Sequence, residues 1–115
     1  MKVFVYGTLK HDGYLFMRDH VWSINEAHIK GDLYGSEWAT FPFADLDGEG
    51  VIKGETHEID PLILPVLDRI ERMYTRRQVT TQEGDLVYVY HFDGIDETFT
   101  KLESGEWNNR GDNLI

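Results

Sequence analysis

The chain has 115 residues, which fits one domain spanning 1–115 around one core. Hydrophobic residues make up 41% and aromatic residues 13%, a composition for a packed fold and not a disordered tail. The net charge of −10 argues against nucleic acid, whose phosphates need clustered Lys and Arg, and equally against an anionic membrane surface.

The β-branched and aromatic stretch Lys2 to Tyr6 predicts a first strand, cut short by Gly7. Leu9 to Arg18 is ambiguous, with a short helix or turn around Tyr14-Leu15-Phe16-Met17. Ala27 to Tyr34 predicts a strand closed by Gly35, and residues 35–50 a long loop with Trp38, Phe41, Pro42 and Phe43. Loops of that length are more often functional than not. Val51 to Ile59 alternates as a strand, with Gly54 marking a close backbone approach. Asp60-Pro61 is a helix start, since Asp caps free N–H groups and Pro suits the first helical position. Leu62, Ile63, Val66, Leu67 and Ile70 recur at helical spacing. Thr75 to Gln82 and Leu86 to Phe92 predict a hairpin, Thr98 to Leu102 a last short strand, and Ser104 to Trp107 a turn that packs an indole. The sum is a mainly antiparallel α+β domain, and so many short strands favour a curled sheet or barrel that hides its edges.

Much chemistry drops out at once. With no Cys there are no disulfides, thiolate metal sites or cysteine nucleophiles. The five His have no metal-ligand spacing, so no metal is expected. No Ser sits in a nucleophile elbow, and neither a Walker loop nor a dinucleotide fingerprint occurs. The apolar start reads as a strand and not a signal peptide, so the expected compartment is the cytosol.

Two stretches stand out. Tyr6-Gly7-Thr8-Leu9 is a strand-end turn whose backbone N–H groups can hold an anionic or carbonyl oxygen, although any strand-to-loop junction with Gly reads the same way. Arg69, Arg72, Arg76 and Arg77 gather near the end of the predicted helix, with Glu71 among them. Arg is favourable at that negative dipole pole and Glu is not. Glu71 is there either for an ion pair with a neighbouring Arg or for a role in a pocket.

Together with Tyr74-Thr75-Arg76-Arg77, Val51-Ile52-Lys53-Gly54-Glu55, Tyr88-Val89-Tyr90 and Ser104-Gly105-Glu106-Trp107, the order and spacing of Tyr6-Gly7-Thr8-Leu9 and Leu67-Asp68-Arg69-Ile70-Glu71 resemble the γ-glutamylcyclotransferase-like superfamily. The similarity covers essentially the whole chain, and the nearer branch is the γ-glutamylamine cyclotransferase or AIG2-like group. The resemblance implies a small mixed, mainly antiparallel β-barrel with flanking helices. It implies a cyclisation in which the α-amine of a γ-glutamyl group attacks its own γ-carbonyl, releasing an amine and 5-oxoproline. By the same resemblance the turn Tyr6, Gly7, Thr8 and Leu9 holds the glutamyl group and Glu71 is the general acid/base. The implied partner is a small γ-glutamyl substrate, with no cofactor. Tyr74 and Tyr88 read either as pocket aromatics or as core.

That chemistry carries a geometric expectation. Glu71 has to be buried to raise its pKa, and close Arg residues would lower it again. Glu71 is therefore expected to point into the barrel and Arg69 and Arg72 away from it. The chain also departs from the family pattern. Arg72 stands where many members have Gly, and Phe41-Pro42-Phe43 where Tyr-Pro-Gly is common. Both leave open a binding module or an idle site on the same fold.

Overall fold

The computed structural model of the chain describes residues 1–114. Strand β1 (Lys2–Val5) lies at the centre of a five-stranded sheet. The other members are β2 (Val21–Lys30), β5 (Val51–Ile59), β6 (Thr75–Thr80) and β7 (Leu86–His91), in the order β2-β5-β1-β7-β6. A second sheet of three strands, β4 (Phe43–Asp45), β3 (Asp32–Gly35) and β8 (Thr100–Lys101), packs against it in that order. A 3₁₀ turn (Pro61–Ile63) runs into helix α1 (Leu64–Ile70), and another 3₁₀ turn (Arg18–His20) precedes β2. Among the described residues no helix is long and apolar enough to cross a membrane.

Alternation along the strands divides the core in two. Phe4, Ile52, Val87 and Val89 face the small sheet and meet Leu33, Ala44, Leu102 and Trp107. Val3, Val5 and Tyr90 face the other way and meet Ile59, Ile63 and Leu67. Because both faces of the large sheet are covered, β1 and β7 read as continuous apolar runs rather than as alternating ones. Gly54 permits the tight contact between β5 and β1, since a Cβ there would stand 2.4 Å from the Val5 carbonyl oxygen and 2.7 Å from the Phe4 ring.

The expected closed barrel with flanking helices does not form. The described residues make two sheets, α1 is the only α-helix among them, and the sheets do not close into a barrel. The physical reason lies in the edges. Residues 22–26 of β2 are solvent-exposed, with Ser23, Asn25 and Glu26 beside Trp22 and Ile24, and β6 carries Arg76 and Arg77 in solvent, so no apolar row on β6 faces the exposed pair on β2. Charged and polar edge strands resist pairing. The two edges are joined at one place, where the Gln82 N–H donates to the His28 carbonyl at 2.8 Å and His28 meets the Glu83 side chain.

The pairing is also mixed. β1 runs antiparallel to β5 (Lys2↔Glu58 through Val5↔Glu55) but parallel to β7, with Val3 opposite Tyr88. The carboxyl ends of β1 and β7 therefore lie at the same end of the sheet. The strand expected over 27–34 is two strands: β2 begins six residues earlier, at Val21, and the chain changes sheets at Gly31. The long loop contains β4. Asp60 accepts a hydrogen bond from the Leu62 N–H at 3.0 Å, which caps the entry to α1, and Pro65 sits within its first turn, where its missing N–H costs least.

Candidate active site

β1 ends at Val5, and the chain turns through Tyr6-Gly7-Thr8-Leu9. The turn is tied by the Lys10 N–H to the Gly7 carbonyl at 3.0 Å and by the Leu15 N–H to the Thr8 carbonyl at 3.0 Å. None of the N–H groups of Gly7, Thr8 and Leu9 donates to an acceptor among the described residues, and the Thr8 hydroxyl has no partner among them either. Unpaired backbone donors in a turn are an oxygen-binding feature. Gly7 is required by packing: a Cβ there would stand 2.7 Å from Pro42 Cδ and 2.8 Å from Pro42 Cγ. The 41–43 loop thus lies directly on the turn.

Three side chains outside the turn hold it in place. Lys10 is buried and its Nζ donates to the Trp107 carbonyl at 2.7 Å. Asn109 donates through Nδ2 to the Gly7 carbonyl at 3.0 Å and to Asp12 at 2.8 Å. Glu55, only 7% exposed, accepts the His11 N–H at 2.9 Å, meets His11 Nδ1 with its other oxygen, and meets His57 Nε2 at 2.8 Å. Burial alone would raise the Glu55 pKa, but the hydrogen bonds from His57 and His11 outweigh it and bring it down to about 2. This clamp has no motif spacing, because its parts lie on β5 and in the N-terminal loop.

Glu71 is the C-cap of α1. Its N–H donates to the Leu67 carbonyl and its own carbonyl accepts from Tyr74 N–H, both at 2.8 Å. That turn is made without a positive φ at Arg72, so it does not require a glycine there. The Glu71 side chain lines the same cavity as the 6–9 turn, with a volume of ≈170 Å³. Among the described residues its carboxyl has neither a hydrogen bond nor an ion pair. Arg69 and Arg72 stand exposed, and Arg76 pairs with Asp68 at 3.0 Å instead. Burial pushes the Glu71 pKa up from 4.5 to about 7.

Tyrosines frame that carboxyl. Tyr74 lines the cavity and its hydroxyl donates to the Pro42 carbonyl at 2.7 Å. Tyr6 donates to the Tyr90 carbonyl, and Tyr90 donates to Asp68 at 2.8 Å. Burial raises the pKa of all three, and the Glu71 charge raises them further. All three stay neutral hydroxyls at physiological pH.

The 41–43 loop is a wall of the cavity and not a plug. Phe41 and Pro42 line it, while Trp38 packs back against Phe41, Phe43 and Phe99. Of the expected site residues, Tyr6, Gly7, Thr8, Leu9, Glu71 and Tyr74 meet at this cavity. Tyr88 does not. It packs beside the second core with the Arg76 guanidinium 5.1 Å over its ring. Tyr90 takes the place at the cavity instead. The parallel register of β1 and β7 puts Val5 level with Tyr90, next to the turn, and leaves Tyr88 two residues farther back. A sequence-based expectation of antiparallel pairing carries no such signal. Among the described residues no group of three or more His, Cys, Asp or Glu is placed to hold a metal ion.

Comparison with known proteins agrees with the motif order. A curated Escherichia coli (strain K12) protein, the γ-glutamylcyclotransferase family protein YtfP, is 29% identical over 96% of this chain and 98% of its own length. Its solution structure matches with a TM-score of 0.67 at 28% identity, covering 96% of this chain and 98% of that one. In fold alone, the chain is similar to protein PH0828 from Pyrococcus horikoshii (TM-score 0.76, 22% identity, covering 92% and 88% of the two chains). It is also similar in fold to a mouse AIG2-like protein (TM-score 0.76, 20% identity, covering 96% and 90%). The model of the family described as "Gamma-glutamyl cyclotransferase, AIG2-like" matches residues 3–109, and the chain belongs to that family.

Proposed function

We propose that the protein is a cyclotransferase that converts a γ-glutamyl amine, or a related γ-glutamyl conjugate, to 5-oxoproline and the free amine, the whole chain serving as one catalytic domain. The observation that carries this reading is the Glu71 carboxyl: unpaired, half-buried, pushed up to about 7, and sharing one cavity with the free N–H groups of the 6–9 turn.

In this reading the turn binds the glutamyl moiety through those N–H groups and folds it so that its α-amine faces its own γ-carbonyl. Nucleophile and electrophile belong to one molecule, so the main demand on the protein is positioning. The ionised Glu71 takes a proton from the α-amine as its nitrogen bonds to the γ-carbon. The bond to the departing nitrogen then breaks and the protonated Glu71 hands that proton over. The products are 5-oxoproline and the amine, and Glu71 returns to its starting state. A carboxyl near 7 suits both halves of that exchange, because the ordinary α-amine pKa is about 8. Tyr6, Tyr74 and Tyr90 line the cavity as neutral hydroxyls, each donating to another partner and not to Glu71.

The experiment offers γ-glutamyl amines and γ-glutamyl dipeptides and measures 5-oxoproline release, with Glu71→Gln beside the parent. Release by the parent and its loss in Glu71→Gln supports the reading. Binding without release by either protein replaces it with a binding module, and equal release by both removes Glu71 from the mechanism.

A further inference from the structure

The two halves of the cavity differ in chemistry. The inner half presents buried Tyr6 and Thr8 and the free turn N–H groups. The outer half is Tyr14, Ile70 and Met73, which are 75%, 38% and 45% exposed. Among the described residues that line it, Glu71 alone carries a charge at neutral pH. Among the described residues no Lys or Arg reaches the lining, although Arg69 and Arg72 flank Glu71 in the chain. A carboxylate next to the departing nitrogen would meet the Glu71 carboxylate and an apolar wall with no cation to offset it.

The apolar surface also continues outward. Ile70 is four residues from Val66 on α1, so the two follow one helical face. Val66 is exposed. Single exposed apolar residues are ordinary, but this run begins at the mouth of the cavity.

On the cyclotransferase reading above, we propose that the departing amine carries an uncharged, apolar substituent, alkyl or arylalkyl, which lies over Tyr14, Ile70 and Met73 and, when long enough, extends along α1 over Val66. The continuity of that face with an otherwise uncharged cavity identifies the occupant. The reacting atoms sit at Glu71, and the substituent is held by the wall beyond it.

The test is a homologous series of γ-glutamyl n-alkylamides from ethyl to octyl, with γ-glutamylalanine as the acidic comparison, followed by 5-oxoproline release and by sedimentation of the protein at the assay concentration. We expect kcat/KM to rise about fourfold per methylene while the chain still finds wall to cover, and then to level off. We expect γ-glutamylalanine to be the poorest substrate. Ile70→Glu and Met73→Glu, checked for folding by circular dichroism, flatten the rise. A flat or falling series, or γ-glutamylalanine turned over as well as the butylamide, overturns the proposal and leaves the cyclotransferase intact. A dimer that Val66→Glu dissociates, together with a flat series, assigns the face to a second copy and also overturns it. No 5-oxoproline from any compound removes the cyclotransferase reading and this one with it.

Discussion

Glu71→Gln separates a desolvated, unpaired carboxyl from a solvated or ion-paired one through stability alone. The Glu71 pKa is 4.5 in the unfolded chain and about 7 in the folded protein, raised by burial. Each tenfold change in proton affinity is worth about 1.4 kcal/mol, so ionising this group in place costs the fold about 3 kcal/mol. Between those two values the folded state holds more protons than the unfolded one. The parent therefore loses stability as pH rises from 4.5 to 7, and the cost is complete above 7 and absent below 4.5. Gln fills the same space and never ionises, and the carboxyl it replaces has no partner to lose among the described residues. Urea unfolding of both proteins at pH 5 and pH 8 should show the stability advantage of Glu71→Gln growing by about 2.5 kcal/mol over that interval. With an m-value of about 1.5 kcal/mol per M, the midpoints separate by a further 1.7 M, roughly. The same substitution should abolish 5-oxoproline release and, with it, an acid limb of kcat/KM near pH 7. An advantage that does not change with pH, or a loss at pH 8, would falsify the argument, because it means that Glu71 is solvated or paired.

The clamp under the turn gives the opposite pH signature. The Glu55 pKa is held down to about 2, so its contribution is full above 4.5 and is lost as pH falls toward 2; Glu55→Gln should cost about 2 kcal/mol at pH 7, and urea melts at descending pH should bring parent and variant together. Gly7→Ala drives a methyl into Pro42 and should cost about 1–3 kcal/mol, while moving the 41–43 wall and raising KM; a melting temperature and KM equal to the parent's would show that the contact yields freely. Thr56 Oγ1 is buried without a partner among the described residues, so Thr56→Val should be neutral or stabilise by about 1 kcal/mol, and a loss of more than 1 kcal/mol in calorimetry would mean that the hydroxyl has a partner after all.

Local physics was legible in the residues. β5 has the bounds its alternation predicts, Asp60-Pro61 caps the segment it was expected to cap, and Trp107 is buried at the end of its turn. These features depend on neighbours a few positions apart. The motif order over the whole chain pointed to the family. It also drew attention to Glu71, whose presence at the wrong pole of a helix needed a reason.

What only the tertiary structure decided depends on distant partners. Whether β2 and β6 close into a barrel is settled by what each edge could bury, and exposed side chains on both leave the sheet open. Parallel pairing of β1 with β7 brings Tyr90 to the turn and leaves Tyr88 against Arg76, although both are tyrosines on one strand face. Glu55, His11 and His57 become a clamp only when β5 folds beside the N-terminal loop. The Glu71 carboxyl could have paired with any of four nearby arginines. Packing of α1 against the second core turns Glu71 inward and leaves Arg69 and Arg72 in water, and the resulting desolvation is what lifts its pKa.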